Sequence, residues 1–472
     1  MKLTFEGHDE RYLIETLSLL FFPAAGFSDE VEDGLSSFTR VAGGMTYAAV
    51  TAGGVTEREE ESAGEDAKRA LARAYYRAGA RLTGITPPWG TLTGIRPAKR
   101  VAAMLAAGMT ADEAAAELWR TCYTSSDKTR LCAAVAAAED VALQKLDRRA
   151  VSVYIGIPFC PTRCAYCSFV SHSVEKEGRF IPAYVDALIE EIDETLSRLT
   201  APVQSVYFGG GTPTTLSAEQ LTRVMAAVAR HVDVANLLEY TVEAGRPDTI
   251  TPEKLAAIRA GGADRISVNP QTTCDATLAA IGRAHSAEDF FKAYELAKDF
   301  PVVNVDLIAG LPGETPEIFE KSLSDVIALR PANLTVHSLS LKRAARMQYA
   351  DMARSRQHSG DIFRMLQTAS EKTAAAHLRP YYLYRQRNTL GNLENVGYAL
   401  PRTEGLYNIY IMGEYQSIVA FGCGGVSKVT DLPGRRIERL FNDKHVREYL
   451  RGAEKRELHR RRLLELLDDR AI

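Results

Sequence analysis

From Val151 onward, short β-branched or aromatic runs alternate with longer helix-period segments, and this alternation constrains the fold more than any other feature. The runs are VSVYIGI, VQSVYF, LEYTVEA, DRISV, VVNVDLI and LTVHSLS. Between the first two, Ile181, Tyr184, Val185, Leu188, Ile189, Ile192 and Leu196 recur at three- and four-residue steps, which predicts one apolar helical stripe. Strands separated by helices pair side by side through crossovers, so the pattern predicts a parallel sheet of the α/β class. Six units are fewer than the eight of a full barrel, and the expectation is a partial (β/α)6 barrel. Chemistry in such folds gathers at the C-terminal ends of the strands.

Just past the first strand stand Cys160, Cys164 and Cys167, three of the chain's seven cysteines within eight residues. A structural zinc site takes four protein ligands, so three thiolates are one short. The cluster is a chance grouping, a metal site completed from elsewhere, or a site that keeps one metal position open for chemistry. The other cysteines do not complete it: Cys122 and Cys132 have no His or Cys at ligand spacing and read as small packing residues. Cys423, in AFGCGGVSK, reads the same way.

Further strand ends carry polar or glycine-rich features. Gly209, Gly210, Gly211 and Thr212 follow the second run, and consecutive glycines let backbone approach a partner closely. Glu243 closes the third run, Gln271 follows the fourth and Asp306 lies in the fifth. One such residue is ordinarily a satisfied polar group. Features at five successive strand ends are much harder to dismiss as such.

The spacing Cys-x3-Cys-x2-Cys, with Tyr166 just before the third cysteine, resembles the signature of the radical S-adenosylmethionine (SAM) enzymes. That resemblance implies a 4Fe-4S cluster on Cys160, Cys164 and Cys167, whose fourth iron is left open to chelate SAM. It further implies cleavage of SAM to a 5′-deoxyadenosyl radical. The stretches YIGIPFCPTRCAYCSF, YFGGGTPTTL, RISVNPQTT, GRAHS and NVDLIAGLPGET narrow it to the oxygen-independent coproporphyrinogen III oxidase (coproporphyrinogen dehydrogenase) family, over roughly residues 150–430. By that resemblance Tyr154 and Glu243 serve catalysis and SAM binding. Tyr166, Gly210, Gly211, Thr212 and Val426 also bind SAM, and Gln271, Arg283 and Asp306 line a second SAM.

Two positions depart from the oxidase. Phe169 replaces a fourth cysteine, which makes the cluster loop similar to that of the haem-chaperone branch. That branch carries a haem-ligating histidine near its C-terminal segment, where this sequence has Tyr407 before Asn408. The N-terminal extension, WGTLTGIRPAKR and YYLYRQRNTLGNLENVGYA most resemble a HemZ-like branch of the family. The implied reaction converts two propionates of coproporphyrinogen III to vinyl groups, fed by a flavodoxin- or ferredoxin-type electron donor. A haem chaperone and a radical SAM enzyme acting on haem are the alternatives. Propionates call for guanidinium or ammonium partners, and Lys342, Arg343, Arg385 and Arg387 are the candidates.

Three segments are expected: an α+β accessory domain over 1–147, the radical SAM core over 148–379, and a C-terminal lid over 380–472 that covers substrate. With a net charge of -3, neither nucleic acid nor an anionic membrane is an expected partner. LSLLFFPAAGF is too short to span a bilayer, and the acidic N-terminus lacks the form of a signal peptide. A cytoplasmic location is expected, where thiols stay reduced and available as ligands.

Overall fold

The computed structural model describes all residues except 24, 29–33, 93, 95, 341–358, 387–388, 390–391, 432–435 and 471–472. The chain divides into two compact units, one of Met1–Ala137, Gln348–Phe363 and Leu383–Glu394, the other of Ala138–Met347, Arg364–Tyr382 and Asn395–Ile472. Among the described residues no helix is long and apolar enough to cross a membrane.

The first unit holds a four-stranded sheet in the order β1 (Lys2–Glu6), β2 (Ser36–Ala42), β3 (Met45–Ala52) and β4 (Val55–Ser62). Its apolar face packs on helices Arg11–Phe21 and Ala67–Thr83, whose Leu13, Ile14, Leu17, Leu71 and Tyr75 form the core. The same unit contains Arg385, which is 2% exposed. Its guanidinium lies 5.0 Å from the centre of the Trp89 ring and donates to the carbonyls of Leu92 and Asn392. Burial pulls its pKa down to about 10. Its terminal nitrogens are thus engaged within its own unit, and its Nε has no hydrogen-bond partner among the described residues. Of the other candidates, Lys342, Arg343 and Arg387 lie outside the described residues.

All six apolar runs are strands. They are β5 (Val151–Ile157), β8 (Val203–Gly210), β9 (Glu239–Glu243), β10 (Arg265–Ser267), β11 (Val302–Ala309) and β12 (Asn333–Ser338), each parallel to the next. Two short strands, β6 (Phe159–Cys160) and β7 (His172–Ser173), bracket the cysteine loop and pair in parallel. The remaining strands are β13 (Arg379–Arg385), β14 (Glu394–Ala399), β15 (Ser417–Phe421), β16 (Val426–Asp431) and β17 (Arg436–Phe441). The sheet order is β13-β14-β12-β11-β10-β9-β8-β5-β15-β16-β17. The parallel run is thus a partial barrel in sequence order, bordered by antiparallel β14 on β12 and by parallel β15 on β5. Helices between its strands start on side-chain caps: Ser217 and Ser286 form capping boxes with Gln220 and Asp289, and Thr251 and Thr315 cap two more.

The expected C-terminal segment reaches both ends of these strands. Helix Leu406–Gly413 begins at the N-terminal end, where the Leu406 and Tyr407 amides donate to Glu239. Residues 421–426, Val426 among them, reach the C-terminal end beside β5, with Gly424 against Val170 of the cysteine loop.

Candidate functional site

The cysteine loop leaves β5 and is held by its neighbours at every few residues. The Gly211 amide donates to Ile157 and the Thr212 amide to Phe159, at 2.8 and 2.7 Å. On the other side the Ala165 amide donates to Ile281 at 2.9 Å and the Thr162 hydroxyl to Gly282 at 3.0 Å. The glycines after β8 therefore serve the loop directly. A Cβ on Gly211 would stand 2.6 Å from the Phe159 carbonyl oxygen and 3.0 Å from Cys160 Sγ, and Gly210 has φ +109°. Only glycine permits both the approach and the turn.

Cys160, Cys164 and Cys167 all lie on this loop, Cys164 buried and the others half-buried. Burial pushes the Cys160 thiol up in pKa, opposed by the Thr212 hydroxyl 3.5 Å away. Burial does the same to Cys167, opposed by the Phe169 amide and by the charges of Arg163 and Arg283. Among the described residues no three His, Cys, Asp or Glu groups close round a single ion. A 4Fe-4S cluster asks for something different, one thiolate per iron, with cations and hydrogen-bond donors to stabilise the negative charge. The three thiols, the Thr212 hydroxyl, the Phe169 amide and the adjacent guanidinium groups fit that demand.

Two arginines lie beneath the loop. Arg283 is buried and donates to the carbonyls of Asn269, Pro270 and Gly245, close to Cys164 and Tyr166. Tyr166 is half-buried, and desolvation raises its hydroxyl far above the ordinary range. Arg246 donates to the Thr162 carbonyl and hydroxyl and grips Asp248 with its other edge. His285 is buried 4.0 Å from Asp248, and neither ring nitrogen has a hydrogen-bond partner among the described residues. Burial lowers its pKa to about 4.

Tyrosines fill the space against β5 and β8. Tyr154 and Tyr207 face each other in register, and Tyr407 stacks on Tyr207 with ring centres 4.4 Å apart. Tyr154 and Tyr407 are 6.4 Å apart in nearly parallel planes. The Tyr207 hydroxyl donates to Glu243, whose pKa burial raises to about 7, with the charge of Asp306 acting in the same sense. Asp306 accepts from Asn304 at 2.8 Å and lies 3.7 Å from His337. Burial works to raise its pKa, but these donors outweigh it and hold the carboxyl below its usual range. Gln271 bridges to Leu307 with φ +71°, a left-handed backbone that a non-glycine residue rarely adopts. Its side-chain oxygen has no partner among the described residues.

The C-terminal strand ends thus bring together the loop cysteines, the glycine turn, Glu243, Gln271, Arg283 and Asp306. Sequence reasoning missed Tyr207, Arg246, Asp248 and His285. Tyr207 lies two residues before the glycine turn and pairs with Tyr154 in the register of β5 and β8.

Residues 154–326 match the radical SAM superfamily. The chain is 41% identical to the oxygen-independent coproporphyrinogen-III oxidase-like protein HemZ of Bacillus subtilis, over 83% of its own length and 79% of that protein's. It is 36% identical to the heme chaperone HemW of the same organism over 40% of its length and 50% of the chaperone's. Among solved structures, the coproporphyrinogen III oxidase HemN of Escherichia coli shares the fold, with a TM-score of 0.51 at 22% identity over 67% of this chain and 71% of that one.

Proposed function

The chain belongs to the radical SAM superfamily and, within it, to the HemZ-like family of oxygen-independent coproporphyrinogen-III oxidase-like proteins, and on that footing we propose that it is an oxidative decarboxylase of coproporphyrinogen III. In this reading each of two propionate side chains loses a β-hydrogen atom to the SAM-derived radical, carbon dioxide, and one electron to an external one-electron acceptor, leaving two vinyl groups and giving protoporphyrinogen IX. Cofactors of the family are a 4Fe-4S cluster and SAM, which together supply a carbon radical able to take the hydrogen.

Cys160, Cys164 and Cys167 would hold the cluster. Glu243 would accept the ammonium of SAM, with Tyr207 fixing the carboxylate from below. Asp306 is held as a carboxylate and Gln271 offers an unpartnered acceptor, so both suit donors of a bound ligand. Tyr154, Tyr207 and Tyr407 fill the space beneath with aromatic surface and keep water from the place where a radical must survive.

Tyr407 carries the choice of oxidase over haem carrier. It takes the place of the chaperones' histidine, yet it is 4% exposed and stacked on Tyr207. Burial raises its hydroxyl well above the ordinary range, which opposes the phenolate form that tyrosine uses to ligate haem iron. One feature favours a carrier as the second reading: Phe169, where the oxidase has a fourth cysteine, is 66% exposed beside the loop. An anaerobic incubation with SAM, a low-potential reductant and coproporphyrinogen III, analysed by product mass, separates the two. The oxidase gives vinyl product and a one-vinyl intermediate when SAM is limiting. Stoichiometric haem binding without vinyl product, from protein that still cleaves SAM, would establish the carrier.

A further inference from the structure

Arg246 stands three residues past Glu243, and at 2% exposure it is as buried as any cation among the described residues. One edge of its guanidinium, Nε and Nη2, grips the two oxygens of Asp248 at 3.0 Å each. The remaining nitrogen, Nη1, points the opposite way. It donates to the Thr162 carbonyl and hydroxyl at 3.1 Å and lies 4.0 Å from Cys164 Sγ. A bidentate pair of this kind fixes direction as well as distance. Its positive end faces the cysteine loop and its negative end faces away, towards His285.

From this geometry we propose that Arg246 is a positioning residue that sets the reduction potential of the cluster, with Asp248 as its counterweight. The proposal rests on the reading that the loop cysteines hold the cluster. Adding an electron to a thiolate-bound cluster adds negative charge, and a fixed cation nearby favours the reduced state. Asp248 both orients that cation and partly cancels it. Removing the arginine leaves the Asp248 carboxylate uncompensated behind the loop, whereas neutralising the aspartate leaves an uncompensated guanidinium. The two changes act in opposite directions.

The test is a redox titration of the anaerobically reconstituted full chain, followed by electron paramagnetic resonance, with iron content measured in parallel. Arg246→Gln should lower the ratio of reduced to oxidised cluster at a given potential by about tenfold, roughly 59 mV for a one-electron couple. Asp248→Asn should raise that ratio, and Arg246→Lys should restore most of what Gln loses. If Arg246→Gln fails to take up a cluster, the raised ratio expected of Asp248→Asn and the near-native potential of Arg246→Lys still decide. A purely structural role would lower iron content or shift both positions alike. Shifts of the same sign in the Gln and Asn variants, or no shift in either at full iron content, would overturn the proposal. A cluster retained by Cys164→Ala would remove it together with the ligand reading, an outcome visible in iron content before any titration.

Discussion

The two ends of the parallel strands are built for different ends. At the N-terminal end Glu239, Arg265 and Asn333 open β9, β10 and β12, and all three are buried. Arg265 lies 3.5 Å from Glu239 and donates to the carbonyls of Thr403 and Glu404 at 2.7 and 3.0 Å. Asn333 donates to Thr403 at 2.8 Å, and Glu239 takes the first amides of helix Leu406–Gly413. Among the described residues these side chains direct most of their polar atoms to the chain itself, although Arg265 Nε and the Tyr240 hydroxyl beside them have no hydrogen-bond partner. At the C-terminal end Gln271 Oε1 and both nitrogens of His285 have none among the described residues, Glu243 titrates near neutrality, and Gln271 holds a strained backbone. Buried polar groups are ordinarily paired, so an end that leaves several unpaired is shaped for something that binds. One end holds the fold and the other waits for ligands.

If that division is right, the largest functional effect should come with the smallest structural one. Replacing Cys160, Cys164 or Cys167 by Ala should abolish the cluster's visible absorption and all SAM cleavage. Far-ultraviolet circular dichroism should remain that of the parent. Serine at Cys423, whose thiol burial raises to about 12, should leave the iron content unchanged.

The opposite end should respond in the opposite way. Arg265→Met leaves the Glu239 carboxylate buried without its cation, and should lower stability by about 3–5 kcal/mol. Denaturant titration measures this, and iron uptake per folded molecule should not change. A loss of cluster without a loss of stability would erase the distinction between the ends.

Glu243→Gln removes a charge while keeping shape. SAM affinity should fall by about 1.5–3 kcal/mol, roughly one to two orders of magnitude. Equilibrium dialysis would show it, with the cluster intact. Unchanged affinity would place the ammonium elsewhere.

The smallest effect is graded with pH. A carboxyl raised to about 7 is neutral below that value and charged above it. Attraction for the ammonium is therefore present above pH 7 and is lost as pH falls, approaching a tenfold weakening for each further unit. SAM affinity should level off on the alkaline side. Glu243→Gln should flatten the profile, and a profile unaltered in that variant would assign the titration to another group.

Much of the site was legible because its signals are local. The six apolar runs announce strands by composition and length alone, and each became one. The cysteine spacing, the glycine turn and Glu243 sit at strand ends that the alternation itself locates. Glycine at 211 is legible too, although its reason emerged only when Phe159 and Cys160 proved to lie against it.

The rest depends on groups that meet only after folding. Arg385 looks in sequence like any cation near a carboxylate-binding mouth, and nothing local says that Trp89 and two backbone carbonyls enclose it. Arg246 reaches Thr162 across 84 residues of chain, and Tyr407 completes a stack whose other rings come from β5 and β8. Strand and helix periods, turns and ligand spacings are short-range properties, written within a few residues of one another. Which cation faces the cysteine loop, which carboxyl is desolvated enough to titrate near 7 and which tyrosine is buried in an aromatic stack are properties of the local dielectric and of neighbours distant in sequence. They come into being only when the sheet assembles.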